Sequence, residues 1–131
     1  IEILAAHRIP YIATTSPSHL NDMAAKMAKA KGIKGTRVIV VLIPCLPGWG
    51  VADDAAVVTA RMGVESGVFP LFEIEDGLRI TMTGPEKCRS VDDYLSLQKR
   101  YRHLTPSDRA TLQAEVDDAW ARLAVRCGEP V

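Results

Sequence analysis

The sequence has no closely spaced pair of cysteines. Its three cysteines, Cys45, Cys88 and Cys127, are odd in number and far apart. A disulfide framework uses an even set of cysteines, and a self-contained metal site needs several thiolates or imidazoles in one chain. We therefore expect a reducing compartment, the cytoplasm, and we expect no complete metal site built from this chain alone.

Net charge and long apolar runs are also missing. Sixteen basic and sixteen acidic residues cancel, so the chain lacks the positive field on which non-specific nucleic-acid binding depends. The longest apolar run, residues 38–43, is far shorter than the roughly 20 residues that span a bilayer. Neither GxGxxG nor GxxxxGK[ST] occurs, so no glycine-rich phosphate loop is predicted. We therefore expect no nucleic-acid partner and no membrane span.

The composition is that of an ordinary globular protein. With 131 residues, 47% of them apolar and 24% charged, the chain can bury a core without disulfides. It opens with IEILAAHR, which has no initiator methionine and resembles the end of a helix. We therefore expect a piece of a longer protein.

Strand and helix signals alternate along the chain. β-Branched and aromatic residues predict a short buried strand at 9–15, and the unbroken apolar run at 37–43 predicts a strand covered on both faces. Asp76-Gly77 predicts a hairpin within 68–83. The order strand, helix, strand, helix, hairpin, helix, helix predicts an α/β fold with a mostly parallel sheet and helices on both its faces.

Capping residues predict where the helices begin and end. The predicted N-caps are Ser16, Asp53 or Asp54, Ser90 and Thr105. Pro17 would then open a helix that ends at Gly32, with an apolar face of Leu20, Met23, Ala24, Met27 and Ala28. In the last helix, the stripe Leu112, Val116, Trp120 and Leu123 predicts a contact with the core or with another subunit.

Cys45 is the main candidate for chemistry. It follows the predicted strand at 37–43, and ligands of α/β sheets bind beyond the carboxyl ends of the strands. Residues 44–50, PCLPGWG, surround it with proline and glycine. Three interpretations stay open from these residues: a small buried hydrophobe, a nucleophile, or one ligand of a metal centre. A nucleophile is disfavoured, because no motif places His7, His19 or His103 beside it as a base.

Two weaker signals accompany Cys45. The segment TTSPSH, residues 14–19, could bind a phosphate at a helix start, or could be an ordinary cap. The lysines Lys26, Lys29, Lys31 and Lys34 predict a solvated basic face, on which an acidic electron carrier could dock. Cys88 and Cys127 receive no role.

Four blocks together resemble a known family. In chain order they are IPYIATTSP, KGIKGTRVIVVLIPCLPGWG, GVFPLFEIEDG and VDDYLSLQKRYRHLT. They resemble the C-terminal part of the β subunit, the thiamine-diphosphate-binding subunit, of 2-oxoacid:ferredoxin oxidoreductases, in particular the pyruvate synthase type. The pieces PC-x-x-GW and YL-x-LQ-x-RYRHLT carry most of the resemblance.

The resemblance implies an enzyme that oxidatively decarboxylates a 2-oxoacid, pyruvate or similar, to acyl-CoA and CO2. It implies thiamine diphosphate, Mg²⁺ and 4Fe–4S clusters as cofactors, with ferredoxin or a similar acceptor, coenzyme A and other subunits as partners. Cys45 matches the fourth cluster cysteine of the family, and Leu46, Pro47, Gly48 and Trp49 would pack around the cluster. The family's GDG motif and its three earlier cysteines are absent here, so most ligands would lie outside this chain, which would be inactive alone.

The resemblance also implies an organisation. Residues 1–87 would form the C-terminal portion of a doubly wound thiamine-diphosphate-binding domain. Residues 88–131 would form a helical extension packed on that domain or on a partner subunit. An alternative from a different class is a small α/β subunit-interaction module with a structural, buried cysteine and no redox role.

Overall fold

A four-stranded mixed sheet forms the centre of the structure, a computed structural model that describes residues 1–128. The strands are β1 (Tyr11–Thr15), β2 (Arg37–Val41), β3 (Phe72–Glu75) and β4 (Arg79–Met82). They are arranged in the order β2-β1-β3-β4. Strands β1 and β2 are parallel, whereas β3 and β4 form the antiparallel hairpin that adds to the other side of β1. The predicted α/β fold is confirmed.

Six helices and one 3-10 turn accompany the sheet in the described residues. They are α1 (Glu2–Ala6), α2 (Leu20–Gly32), α3 (Leu46–Trp49), α4 (Ala56–Glu65), α5 (Val91–Leu95), the 3-10 turn Lys99–Tyr101, and α6 (Pro106–Arg126). Helix α2 connects the two parallel strands. Helix α3 is a single turn that the sequence patterns did not predict. Within residues 1–128, no helix is long and apolar enough to cross a membrane.

The predicted starts of the last two helices are confirmed. At α5, the Asp93 N–H donates to Ser90 Oγ (3.2 Å), and the Ser90 N–H donates to Asp93 Oδ2 (3.1 Å). At α6, Thr105 and Asp108 make the same reciprocal pair at 3.2 and 2.8 Å. Each pair satisfies two backbone donors that the first turn leaves without partners, which fixes the helix start.

The predicted caps of α2 and α4 are wrong. Helix α2 has His19 as its N-cap residue, because Ser16 is buried at the end of β1 and its side chain bonds to Ser18 instead. A turn, in which the His19 N–H donates to the Ser16 carbonyl (2.9 Å), separates that strand from the helix. Helix α4 has Ala55 as its N-cap residue, because residues 53 and 54 are taken up by a preceding turn.

The predicted apolar face of α2 is also wrong, because Leu20 is 63% exposed and Met27 is 40% exposed. The face turned to the sheet instead carries Lys26, which is 1% exposed. Its Nζ donates to the Thr14 carbonyl (2.6 Å) and lies 2.8 Å from Asp22 Oδ1. A buried ammonium is tolerated when its donors find partners in this way.

Strand β2 lies at one edge of the sheet. Arg37 is exposed and residues 38–41 are half-buried, so the prediction of a strand covered on both faces is wrong for the described structure. Strand β1, between β2 and β3, is buried along its whole length. An apolar run indicates how a strand packs but does not identify which elements cover it.

The core of the described residues has three apolar clusters, and two of them include residues of α6. One cluster lies on the sheet and includes Ile12 and Ile74, with Leu123 packed against it. The other is formed by α5 (Val91, Tyr94 and Leu95), with Met62 of α4 and Leu112, Val116 and other half-buried residues around it. The stripe on α6 therefore contacts core residues of this chain, as predicted.

Candidate functional site

The carboxyl ends of β1 and β2 bring the two candidate loops together. The strands are in parallel register from Tyr11–Arg37 to Thr15–Val41. Beyond the last pair, the Leu42 N–H donates to the Thr15 carbonyl (3.0 Å), and the Ser16 hydroxyl lies 3.4 Å from the Leu42 carbonyl. The loops that follow these strands therefore begin side by side at the edge where α/β proteins bind ligands.

Cys45 is exposed. It is the N-cap residue of α3, with φ −89° and ψ 100°. Its carbonyl accepts the Trp49 N–H at 2.9 Å, and Gly50 ends the turn in the left-handed conformation with φ +64°. The interpretation of Cys45 as a small buried hydrophobe is wrong in this structure. The thiol is held by a short, proline-containing turn at the protein surface.

Gly48 leaves the space that the Cys45 sulfur occupies. A Cβ built on Gly48 would lie 2.9 Å from Cys45 Sγ, which is closer than real Cβ contacts. Any side chain at position 48 would therefore displace the sulfur. The close approach favours glycine here, and the sulfur lies beside the backbone of the turn.

Arg100 fastens this turn to the C-terminal part of the chain. Its guanidinium carbon lies 4.0 Å from the ring centre of Trp49 and 4.6 Å from the ring centre of Tyr101. The Lys99 N–H donates to the Gly50 carbonyl (3.3 Å). Sequence reasoning missed this contact because the residues are far apart in the chain. The one available signal was the pairing of a loop tryptophan with the basic, aromatic RYR piece.

A buried glutamine supports Arg100. Gln98 is 1% exposed. Its Oε1 accepts a hydrogen bond from Arg100 Nε (2.9 Å), and its Nε2 donates to the Tyr94 carbonyl (2.8 Å). Burial raises the pKa of the Tyr94 phenol, and the neighbouring Arg100 acts in the opposite direction. The guanidinium is thus oriented by a side chain that is itself fixed on α5.

Residues 1–128 contain no group of three or more His, Cys, Asp or Glu side chains that could hold a metal ion. Cys88, which is exposed, follows the hairpin, and Cys127 is half-buried at the end of α6. A metal centre that included Cys45 would therefore need its remaining ligands from residues outside this structure.

The segment at 14–19 forms a hydrogen-bonded series. Ser16 Oγ lies 2.9 Å from Ser18 Oγ, which lies 2.9 Å from His19 Nδ1. Ser18 and His19 border a cleft of about 580 Å³, and Val57 and Arg61 line its other side. Burial lowers the pKa of His19, and Arg61 lowers it further. A phosphate role for this loop stays a prediction.

The prediction that Lys26, Lys29, Lys31 and Lys34 form a solvated face is wrong at Lys26. Lys26 is buried, and burial lowers its pKa even though Asp22 opposes the change. Lys29 binds Glu73 and also Glu75, the latter at 2.7 Å. Burial acts to lower the pKa of Lys29, but the hydrogen bonds to the two glutamates outweigh it and raise the pKa. Lys31 and Lys34 are exposed.

No protein-family model matches the chain. Individual relatives do match. The chain is 46% identical over 117 residues, 88% of its length, to pyruvate synthase subunit PorB of Methanocaldococcus jannaschii, of which it covers 39%. It is 40% identical over 125 residues, 94% of its length, to ketoisovalerate oxidoreductase subunit VorB of Pyrococcus furiosus, of which it covers 40%. With PorB of Thermotoga maritima it shares 36% identity over 128 residues, 94% of its length and 40% of the relative.

These matches relate the chain to a class of enzyme subunits. The chain is similar to subunits of named oxidoreductases over most of its own length. It resembles the C-terminal portion of the 2-oxoacid:ferredoxin oxidoreductase β subunits, to which PorB and VorB belong. The resemblance found in the sequence is confirmed. The chain spans about two fifths of the length of these relatives.

Proposed function

We propose that the chain is part of a cytoplasmic, multisubunit enzyme that oxidatively decarboxylates a 2-oxoacid, pyruvate or similar, to acyl-CoA and CO2. Electrons would pass through iron–sulfur clusters to ferredoxin or a similar acceptor. The observation that carries this proposal is the 46% and 40% identity to subunits named for pyruvate synthase and ketoisovalerate oxidoreductase, since both names refer to 2-oxoacids. Thiamine diphosphate, Mg²⁺ and coenzyme A belong to the proposal, but no residue of this chain is assigned to them.

Cys45 contributes one thiolate to a 4Fe–4S cluster whose other ligands lie outside this chain. The exposed thiol and the space beside Gly48 support this role, because a cluster ligand must be accessible and fixed in position. When bound, the cluster would supply one-electron transfer. Leu46, Pro47 and Trp49 of the same turn would limit the access of water to it, and an apolar surround of this kind influences cluster potential.

The chain divides into an α/β portion, residues 1–87, and a helical extension, residues 88–131. The first is the C-terminal portion of a thiamine-diphosphate-binding domain. Helices α5 and α6 pack around an apolar cluster of their own, and this supports the division. Met62 of α4 connects that cluster to the α/β portion. The contacts of Arg100 with Trp49 add a second connection, at the Cys45 turn.

Iron and acid-labile sulfide content, measured per assembled complex, tests the role of Cys45. We expect Cys45→Ser to lose or convert one cluster while the complex stays assembled. Cys88→Ser is the matched control, because Cys88 is exposed too but lies after the hairpin. Unchanged iron and sulfide in Cys45→Ser, with acceptor reduction intact, would contradict the assignment and favour the interaction-module alternative.

A further inference from the structure

We propose that Arg100 is a positioning residue for the Cys45 turn and that its charge raises the reduction potential of the centre to which Cys45 is a ligand. The inference rests on the function proposed above. It adds Arg100 to that function. The C-terminal extension supplies this cation, which contacts the Cys45 turn through Trp49.

The contacts of Arg100 hold its guanidinium in one plane. It stacks on Trp49 and on Tyr101 at 4.0 and 4.6 Å from the ring centres. The bond from its Nε to the buried Gln98 fixes rotation about the end of the side chain. Arginine suits such a site because its planar cation stacks on aromatic faces and remains charged at all relevant pH values.

Arg100 acts on Cys45 through a short and rigid connection. Trp49 is joined to Cys45 by a backbone hydrogen bond of 2.9 Å across a single helical turn. The carbonyl of Gly50, the next residue, accepts the Lys99 N–H. A Cβ built on Gly50 would lie 2.6 Å from Lys99 Cβ. The two segments are therefore in direct contact at adjacent positions, and movement of Arg100 would alter the turn that carries the thiol.

The direction in which the Arg100 charge shifts the reduction potential can be predicted. A cluster held by thiolates is negatively charged, and reduction adds one more negative charge. A cation stacked on Trp49, in the same turn as the thiol, stabilises the reduced form more than the oxidised form, because net charge around a cluster is one of the factors that set its potential. Loss of the Arg100 charge is therefore expected to make the centre harder to reduce.

Two measurements on the whole complex test this proposal. The first is an EPR-monitored redox titration of Arg100→Gln. We expect the equilibrium constant for reduction to fall about tenfold, a negative shift of about 59 mV for a one-electron couple. The second is hydrogen exchange of the iron-free complex, in which we expect faster exchange of the Trp49, Gly50 and Val51 amides, all of which bond within the turn.

Two further variants separate charge from position. Arg100→Lys keeps the cation but loses the planar stack, so we expect a potential near that of the unaltered complex together with faster exchange in the turn. Arg102→Gln is the matched control, because Arg102 is exposed and lies two residues away, and we expect neither measurement to change. Should Arg100→Gln fail to assemble, Arg100→Lys decides the positioning role by its exchange rates alone.

The outcomes separate this inference from the function on which it rests. If Cys45→Ser loses the cluster but Arg100→Gln leaves both potential and exchange unchanged, the inference is overturned and the proposed function stands. If Cys45→Ser keeps all iron and sulfide, the proposed cluster role of Cys45 fails and the redox role of Arg100 fails with it. Faster exchange in Arg100→Gln with an unchanged potential would overturn the electrostatic role.

Discussion

Replacing Gly48 by alanine would test whether the thiol of Cys45 must stay where the structure places it. The new Cβ would lie 2.9 Å from Cys45 Sγ, and ordinary contacts begin at 3.4 Å. Ordinary separation of these two atoms therefore requires a movement of about 0.5 Å, and the sulfur would leave the position that it has in this structure. We expect Gly48→Ala to lose cluster iron, measured as iron and acid-labile sulfide per assembled complex.

The same change should cost little stability. The displaced atom is the end of a side chain that can rotate about a single bond, and φ at Gly48 is not in the positive range that disfavours alanine. Alanine also favours a helical backbone over glycine by up to about 1 kcal/mol. We therefore expect the thermal midpoint of the iron-free complex to be unchanged or slightly raised.

Gly32→Ala is the control for this experiment. Gly32 lies at the end of α2, and a Cβ built there meets nothing within 4 Å. It should leave iron content unchanged and the thermal midpoint unchanged or slightly raised. Full iron content in Gly48→Ala would refute the reasoning, because the sulfur would then be free to move without consequence. Loss of iron accompanied by a large drop in thermal midpoint would show instead that alanine disrupts the turn itself.

Two further predictions concern the polar end of β1. Lys26→Met should destabilise the subunit by about 3 kcal/mol in chemical denaturation, because it leaves the Thr14 carbonyl and the largely buried Asp22 without their cationic partner; Lys31→Met, at an exposed position, should have little effect. Burial lowers the pKa of His19, Arg61 and Lys26 act in the same direction, and Glu65 and Asp22 oppose them. His19 therefore binds a proton more readily in the unfolded chain than in the folded protein. The free energy of unfolding keeps its full value above the ordinary histidine pKa, and it decreases as pH falls through the lowered pKa of His19 in the folded protein. His19→Gln should flatten this loss in thermal melts between pH 7 and pH 5, and an equally steep curve in the variant would contradict the assignment.

The features predicted correctly from sequence depend on local chemistry. The starts of α5 and α6 follow from capping pairs three residues apart. The hairpin follows from Asp76-Gly77, both of which have positive φ. A local pattern is sufficient in these places because the hydrogen bonds that decide the structure are made within a few residues.

The features predicted wrongly depend on distant partners. The face of α2 was assigned by counting apolar residues, whereas Lys26 is buried because the Thr14 carbonyl and Asp22 are present to bind it. The position of Cys45 beyond β2 followed from the order of elements, but the stacking of Arg100 on Trp49 did not. Contacts between segments separated by a hairpin and two helices leave no periodic signal in the chain.

Helix α6 contacts both apolar clusters, and this links the stability of distant parts of the chain. Its first half packs against α5, and its last turns pack on the sheet. Its 21 residues make a rod about 30 Å long, with Leu112 and Leu123 in different clusters. Opening either cluster requires the same rod to tilt or melt. The sheet and the α5 region, including the residues that hold the Cys45 turn, are therefore expected to unfold as one cooperative unit.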